Sequence, residues 1–196
     1  MALSTAIANS LTPQEIEYLA ENELIYIVPN QSLSTVELIV GSFGPFRPPV
    51  RTRVPLWMAL MLKKNQNCTI IPPEWLTSEF FSARLADEEQ QPTFSELPYT
   101  YMEVAHMLLN HASDDIPNAN EIHVLLKNLR ETREVKAREG VKNLDATYLQ
   151  VNNIAQMELN EIRPFFTKAY SQLVKLAPPP EAEEDMSQTP FESSTY

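Results

Sequence analysis

The chain of 196 residues is 43% hydrophobic and 21% charged, the proportions of a globular protein with one domain or two small ones. Its formal net charge of −11 argues against duplex DNA as a primary ligand, because affinity for phosphates comes from Lys and Arg. A single cysteine excludes a disulfide framework, three glycines disfavour phosphate-cradling loops, and no apolar run approaches the roughly 18 residues of a membrane span.

Residues 1–11 read as a flexible leader that lacks the basic region of a secretory signal. Thr12-Pro13-Gln14-Glu15 predicts a helix start, with Thr12 as N-cap, Pro13 at the first position and Glu15 completing a capping box. Ile16, Leu19 and Ala20 form its apolar stripe. Residues 23–29 read as a strand closed by Pro29, and 36–40 as a second strand with Glu37 outward. The stretch 41–49 holds Gly41, Gly44, Pro45, Pro48 and Pro49, which argues against regular structure there. Residues 50–54 carry Arg51 and Arg53 and fit an edge strand.

The chain is organised around residues 54–76. Pro55 opens a short helix in which Leu56, Trp57, Leu60, Met61 and Leu62 leave almost no polar face before Lys63 and Lys64, so it must be buried on several sides. Residues 68–71 form a brief β run containing Cys68, halted by Pro72-Pro73. Glu74-Trp75-Leu76 starts the next helix, its acid at the positive end. Trp57, Leu60 and Trp75 are therefore expected to be a structural hub between an N-terminal and a C-terminal part.

The remainder reads as helical. A helix over 75–87 leads to a polar connection over 88–92, then to a helix over 99–111 that is apolar around most of its circumference. The longest helix runs from Asn118 or Asn120 to residue 142, its apolar stripe of Ile122, Leu125, Leu126 and Leu129 confined to the first half. Residues 143–153 are ambiguous. A last helix over 155–176 must kink or restart at Pro164. Residues 178–196 contain no Lys or Arg and read as a disordered acidic tail. The fold class expected is mostly α: a small β-rich α+β domain over 12–53, then a helical bundle over 54–177.

No catalytic motif, metal-ligand spacing or cofactor fingerprint occurs. His106 and His111 point to different faces of one helix, and Cys68 fits a buried core thiol. Glu88-Glu89 and Asp114-Asp115 read as solvated loop charges. The basic half of the long helix is either a solvated face laced by pairs such as Glu134 with Arg138, or a contact surface for an acidic partner or for nucleic acid, of which an acidic protein fits the intermixed glutamates better. Arg47, Arg51 and Arg53 pose the same choice. The helices 99–111 and 155–176 carry more apolar surface than the chain can cover, which points to an obligate subunit.

Several blocks resemble one subunit of the eukaryotic GINS replication complex: Leu19-Ala-Glu-Asn-Glu-Leu-Ile-Tyr-Ile-Val-Pro29, Gly44-Pro-Phe46, Val54-Pro-Leu-Trp57, Leu62-Lys63, Cys68, Pro72-Pro-Glu-Trp75 and Leu108-Leu-Asn-His-Ala-Ser-Asp114. Thr132-Arg133 and Glu158-Leu-Asn160 agree more loosely, and Val151-Asn-Asn-Ile154 departs from the Leu-Asp-Asn-Leu usual there. The resemblance spans about residues 12–176. It implies a β-rich domain and an α-helical domain, and a nuclear heterotetramer with three sister subunits. It also implies a scaffold that joins the MCM helicase ring and the Cdc forty-five protein into the CMG helicase. With that role come no catalytic residue, metal or cofactor, no membrane, and at most indirect or weak DNA contact. Leu125, Leu129, Phe165, Phe166, Tyr170 and Leu173 are the subunit-interface candidates. Arg51, Arg53, Arg130, Arg133 and Lys136 are the basic candidates for facing the helicase or another partner. Ser187-Gln188 and Thr189-Pro190 resemble kinase target dipeptides. The rival is an autonomous helical adaptor that binds an acidic partner or a single strand through residues 130–142.

Overall fold

A computed structural model describes residues 11–142 and 152–176. The expectations for the leader before Leu11, most of residues 143–153 and the acidic tail lie outside the described residues. Helix α1 (Pro13–Ala20) starts as the sequence predicts. Thr12 Oγ1 accepts the Glu15 amide at 3.3 Å, and the Glu15 carboxylate accepts the Thr12 amide at 2.7 Å.

Strand β1 (Leu24–Pro29) buries every second residue, Ile25 and Ile27 among them, and forms the centre of a three-stranded antiparallel sheet. Its neighbours are β4 (Thr52–Pro55), with Ile25 opposite Val54, and β5 (Cys68–Ile71), with Ile27 opposite Ile70. Because β5 follows helix α2 (Leu56–Lys64), the sheet draws the chain into the N-terminal part as far as Ile71, well past the boundary expected at residue 53. Between β1 and β4 lies a small hairpin of β2 (Val36–Leu38) and β3 (Gly41–Phe43). The glycines and prolines of 41–49 argue against a strand there, yet the first three residues pair. Gly44, at φ +108°, makes the turn that follows; a Cβ there would lie 3.2 Å from the ring of buried Phe46.

Pro55 ends β4 and caps α2 rather than occupying its first turn. Leu56, Met58 and Ala59 are buried where α2 packs against the sheet and against α4 (Tyr101–His111). Trp57 meets Phe43 of the hairpin edge-on at 6.5 Å, and Trp75 meets Phe81 of α3 (Ser78–Gln90) edge-on at 6.1 Å. Leu60 is half-buried beside the same core. The two tryptophans thus serve opposite sides, one the β part and one the helical part.

Helix α3 starts three residues later than the sequence predicts. Leu76 folds back to bond Pro73 O, and Thr77 caps the helix through its hydroxyl. It also runs on to Gln90, which converts the expected polar connection at Glu88 into a helical turn. Asp114 and Asp115 likewise are no idle loop charges. They lie within a 3-10 turn (Ser113–Asp115) and pair with Lys63 at 2.7 and 2.8 Å. Helix α4 is the centre of the helical part: Tyr101, Val104, Ala105, Met107 and Leu108 are all buried. Its expected surplus apolar face is covered within the chain. Helix α5 (Ala119–Lys142) packs along α3, and α6 (Gln156–Leu176) runs as one helix through Pro164.

Candidate assembly surface

On α5 the buried positions are Ile122, Leu126, Leu129 and then Arg133, a spacing that keeps one face inward from Ile122 to Arg133. The apolar stripe therefore does not stop at mid-helix; it ends on an arginine that is 1% exposed. Arg133 Nε and Nη2 grip Glu158 at 2.7 and 2.9 Å in a bidentate pair. Its Nη1 bonds Glu88, and Nη2 also donates to Asn153 O at 2.6 Å. Phe94 lies beneath the guanidinium, 4.8 Å from ring centroid to Cζ. Lys136, one turn on, reaches the other oxygen of Glu88 and the carbonyls of Gln91 and Thr93.

Every charge in this cluster has a partner. Glu88 also accepts the amide and hydroxyl of Ser95, each at 2.8 Å. Glu158 accepts the Tyr101 hydroxyl at 2.9 Å and the Ala155 amide at 3.0 Å. Burial pushes the Glu88 carboxyl up, but the bonds from Lys136 and Ser95 and the charge of Arg133 outweigh it and hold it below its ordinary value. Burial would likewise lower Arg133, and Glu158 more than restores it. The cluster joins α3, α4, α5 and α6, and removing Arg133 would leave the Glu158 carboxylate without its cation, a loss of about 3–5 kcal/mol.

Arg133 and Lys136, expected to face a partner, are thus turned inward and committed to this chain. Arg130 is exposed and pairs with Glu161 at 2.6 Å, and Arg138 pairs with Glu134. Arg51 and Arg53 are exposed on and beside β4. Sequence reasoning missed Glu88 and Glu158. The signal that could have found Arg133 was its place four residues beyond Leu129, in phase with the buried stripe.

The interface candidates divide in the same way. Leu129 is wholly buried in the chain's own core, so its expected role between subunits does not hold, and Leu125 is half-buried against that core. The others lie on α6. Its first turns are tied down: Asn160 exchanges two hydrogen bonds with the backbone of Leu11, at 3.0 and 2.7 Å, and Gln156 N–H bonds Tyr99 O at 2.9 Å. Between and beyond them the apolar residues open outward, with Leu159 42% and Phe165 62% exposed. Tyr170 lies on the exposed side, and Phe166 and Leu173 are half-buried. A groove of about 500 Å³ runs between α5 and α6, walled by Ala137, Ile154, Ile162 and Phe165.

Cys68 is buried, with Sγ 3.7 Å from Ala59 O, and burial pushes its thiol up to about 11, which makes it an inert core residue. Among the described residues no three His, Cys, Asp or Glu side chains gather in a way that could hold a metal, and no helix is long and apolar enough to cross a membrane.

Two family models match the chain in succession: the PSF2 N-terminal domain over residues 12–71, and the GINS complex protein helical bundle domain over 75–172. Their junction falls just after β5, where the sheet ends. The chain is 40% identical over 176 residues to the DNA replication complex GINS protein psf2 of Schizosaccharomyces pombe, covering 90% of this chain and 96% of that one. It is 42% identical over 167 residues to the PSF2 protein of Xenopus laevis and 40% over 166 residues to that of Homo sapiens, in each case covering 83% of this chain and 90% of the relative. On this similarity, and with a small sheet followed by a helical bundle, the chain belongs to the PSF2 family of GINS complex proteins.

Proposed function

We propose that the chain is a non-catalytic scaffold subunit of a GINS heterotetramer, which links the MCM helicase ring to the Cdc forty-five protein in the nuclear CMG helicase during initiation and elongation of DNA replication. The relatives named as DNA replication complex GINS proteins support the subunit role. The observation that carries the scaffold reading is the outward apolar face of α6, from Leu159 to Leu173, on a helix whose first turns are fixed to the body. Sister subunits cover that face. The basic residues Arg51 and Arg53 then remain to meet the helicase.

The autonomous adaptor has less to stand on. Arg130, Arg133, Lys136 and Arg138 all pair with carboxylates of this chain, which leaves that stretch little charge for an acidic ligand. Native mass spectrometry of the chain co-expressed with the three sister subunits tests the proposal. A stable particle with one copy of each is expected, and a monomer that ignores the other three would overturn it.

A further inference from the structure

The two edges of the β4–β1–β5 sheet are finished differently. In an antiparallel pair, residues alternate between those that exchange hydrogen bonds with the partner strand and those whose backbone groups face away from it. Leu56 N–H donates to Glu23 O at 2.8 Å. Carried along the register in steps of two, that bond makes Val54 with Ile25, and Thr52 with Ile27, the bonded pairs. On the far side Asn30 N–H donates to Asn67 O at 2.8 Å, so Val28 with Thr69, and Tyr26 with Ile71, are the bonded pairs there. The alternation along β1 is consistent. It follows that the Ile70 backbone faces outward from β5, and the Arg53 backbone, with Arg51 two residues earlier, faces outward from the β4 side.

The chain closes the first edge itself: the Asp115 carboxylate accepts the Ile70 amide at 2.7 Å. Among the described residues nothing equivalent covers the second. Arg51 and Arg53 keep their side chains exposed, as does Arg47, and none of the three pairs with a described acid, in a chain whose formal charge is −11. Tyr26, directly opposite Arg53, is half exposed and adds an aromatic surface beside them.

We propose that the outer edge of β4 is a docking site for an acidic, extended segment of a partner protein, which adds as a fourth strand. The N–H and C=O of Arg53 and Arg51 bond its backbone, and alternate carboxylates meet the arginine side chains. Charged residues on an edge strand ordinarily guard against self-association. Here the same arginines repel a second copy of the chain and select the opposite charge. The proposal deepens the reading of Arg51 and Arg53 as partner-facing and rests on it, but is independent of what covers α6.

The test uses the full-length chain, with co-expressed sister subunits where these keep it in solution. It is titrated with a short fluorescent peptide of alternating glutamate and valine while amide hydrogen exchange is followed. The expected result is saturable binding with slowed exchange at Arg51 and Arg53. The double change Arg51→Glu, Arg53→Glu, whose melting temperature should stay that of the parent, binds at least about tenfold more weakly, the scale of one charge-assisted bond. A peptide N-methylated at alternate amides does not bind. Absence of binding, unchanged exchange at these amides, or equal binding of a lysine-for-glutamate peptide overturns the proposal. Binding that emerges only after residues 178–196 are removed also overturns it, since the chain's own tail would then hold the edge. If the double change abolishes binding but the N-methylated peptide binds undiminished, the arginines face a partner and strand addition is what fails.

Discussion

Among the described residues two glutamates are buried, and their surroundings give them opposite responses to pH. Glu88 is enclosed by Arg133, Lys136 and Ser95, so its charge is favoured, and its contribution fades as pH falls through its lowered value. Glu103, on the inner face of α4, is 4% exposed and neither of its carboxylate oxygens closes a hydrogen bond. Burial pushes its carboxyl up, and the charges of Glu158 and Glu23 add to that. The Glu103 and Met157 amides favour the charged form but do not offset it. A carboxyl raised in the folded state costs nothing below the ordinary value of 4.5, where it is neutral in both states. Stability is lost as pH rises above that, through the folded value. Glu103→Met should therefore raise stability, with a gain that is smallest near about pH 4 and reaches about 1–3 kcal/mol near neutrality. Urea unfolding at both pH values reads it, and a gain that ignores pH would show that the Glu103 charge is satisfied in the fold. A charged residue's surroundings were the least legible part of the sequence. Glu88 and Asp115 sit in acidic pairs that look solvated, and only the fold brings Arg133 and Lys63 to them.

At the level of elements, periodicity and capping signals placed the secondary structure well and its limits less well. Thr12 announced α1, and the apolar run closed by Pro29 announced β1. The late start of α3 turned on the choice between Trp75 and Thr77, and a threonine that can cap was the better guide than an acid near the helix end. What the sequence could not display was pairing across distance. Residues 68–71 read as a strand, but not as the third strand of a sheet begun at residue 24. The outer edge of that third strand is closed by Asp115, whose carboxylate accepts the outward amide of Ile70 from a turn far along the chain. Asp115→Ala should leave that amide unbonded at a part-buried edge, at a cost of about 1–3 kcal/mol. Hydrogen exchange at Ile70 would then quicken while that at Ile27, in the central strand, changes only through global stability. Unchanged exchange at Ile70 would mean that the edge is closed by something other than the carboxylate.

For the whole molecule, what matters is where apolar surface is left over. Helix α4 looked oversupplied in the sequence, yet α2, α5 and α1 enclose it, because a residue string does not reveal how many neighbours a helix will have. Helix α6 is the reverse: its stripe is as rich, but its neighbours meet only part of its circumference, and Phe165 stands well exposed. Surface of that kind contributes little to the chain's own stability, since substitutions there usually stay within about 0.5 kcal/mol. It contributes a great deal wherever a partner buries it, at roughly 25 cal/mol for each Å² of apolar area removed from water. The two effects can be separated in one experiment. The double change Leu159→Ser, Phe165→Ser should leave the unfolding midpoint of the chain nearly as it was and abolish its recovery in the one-of-each particle with the three sister subunits. A variant that unfolds early would show that α6 is part of the chain's own core. A variant that assembles as well as the parent would show that the sister subunits meet the chain elsewhere, and the outward face of α6 would then need a different occupant.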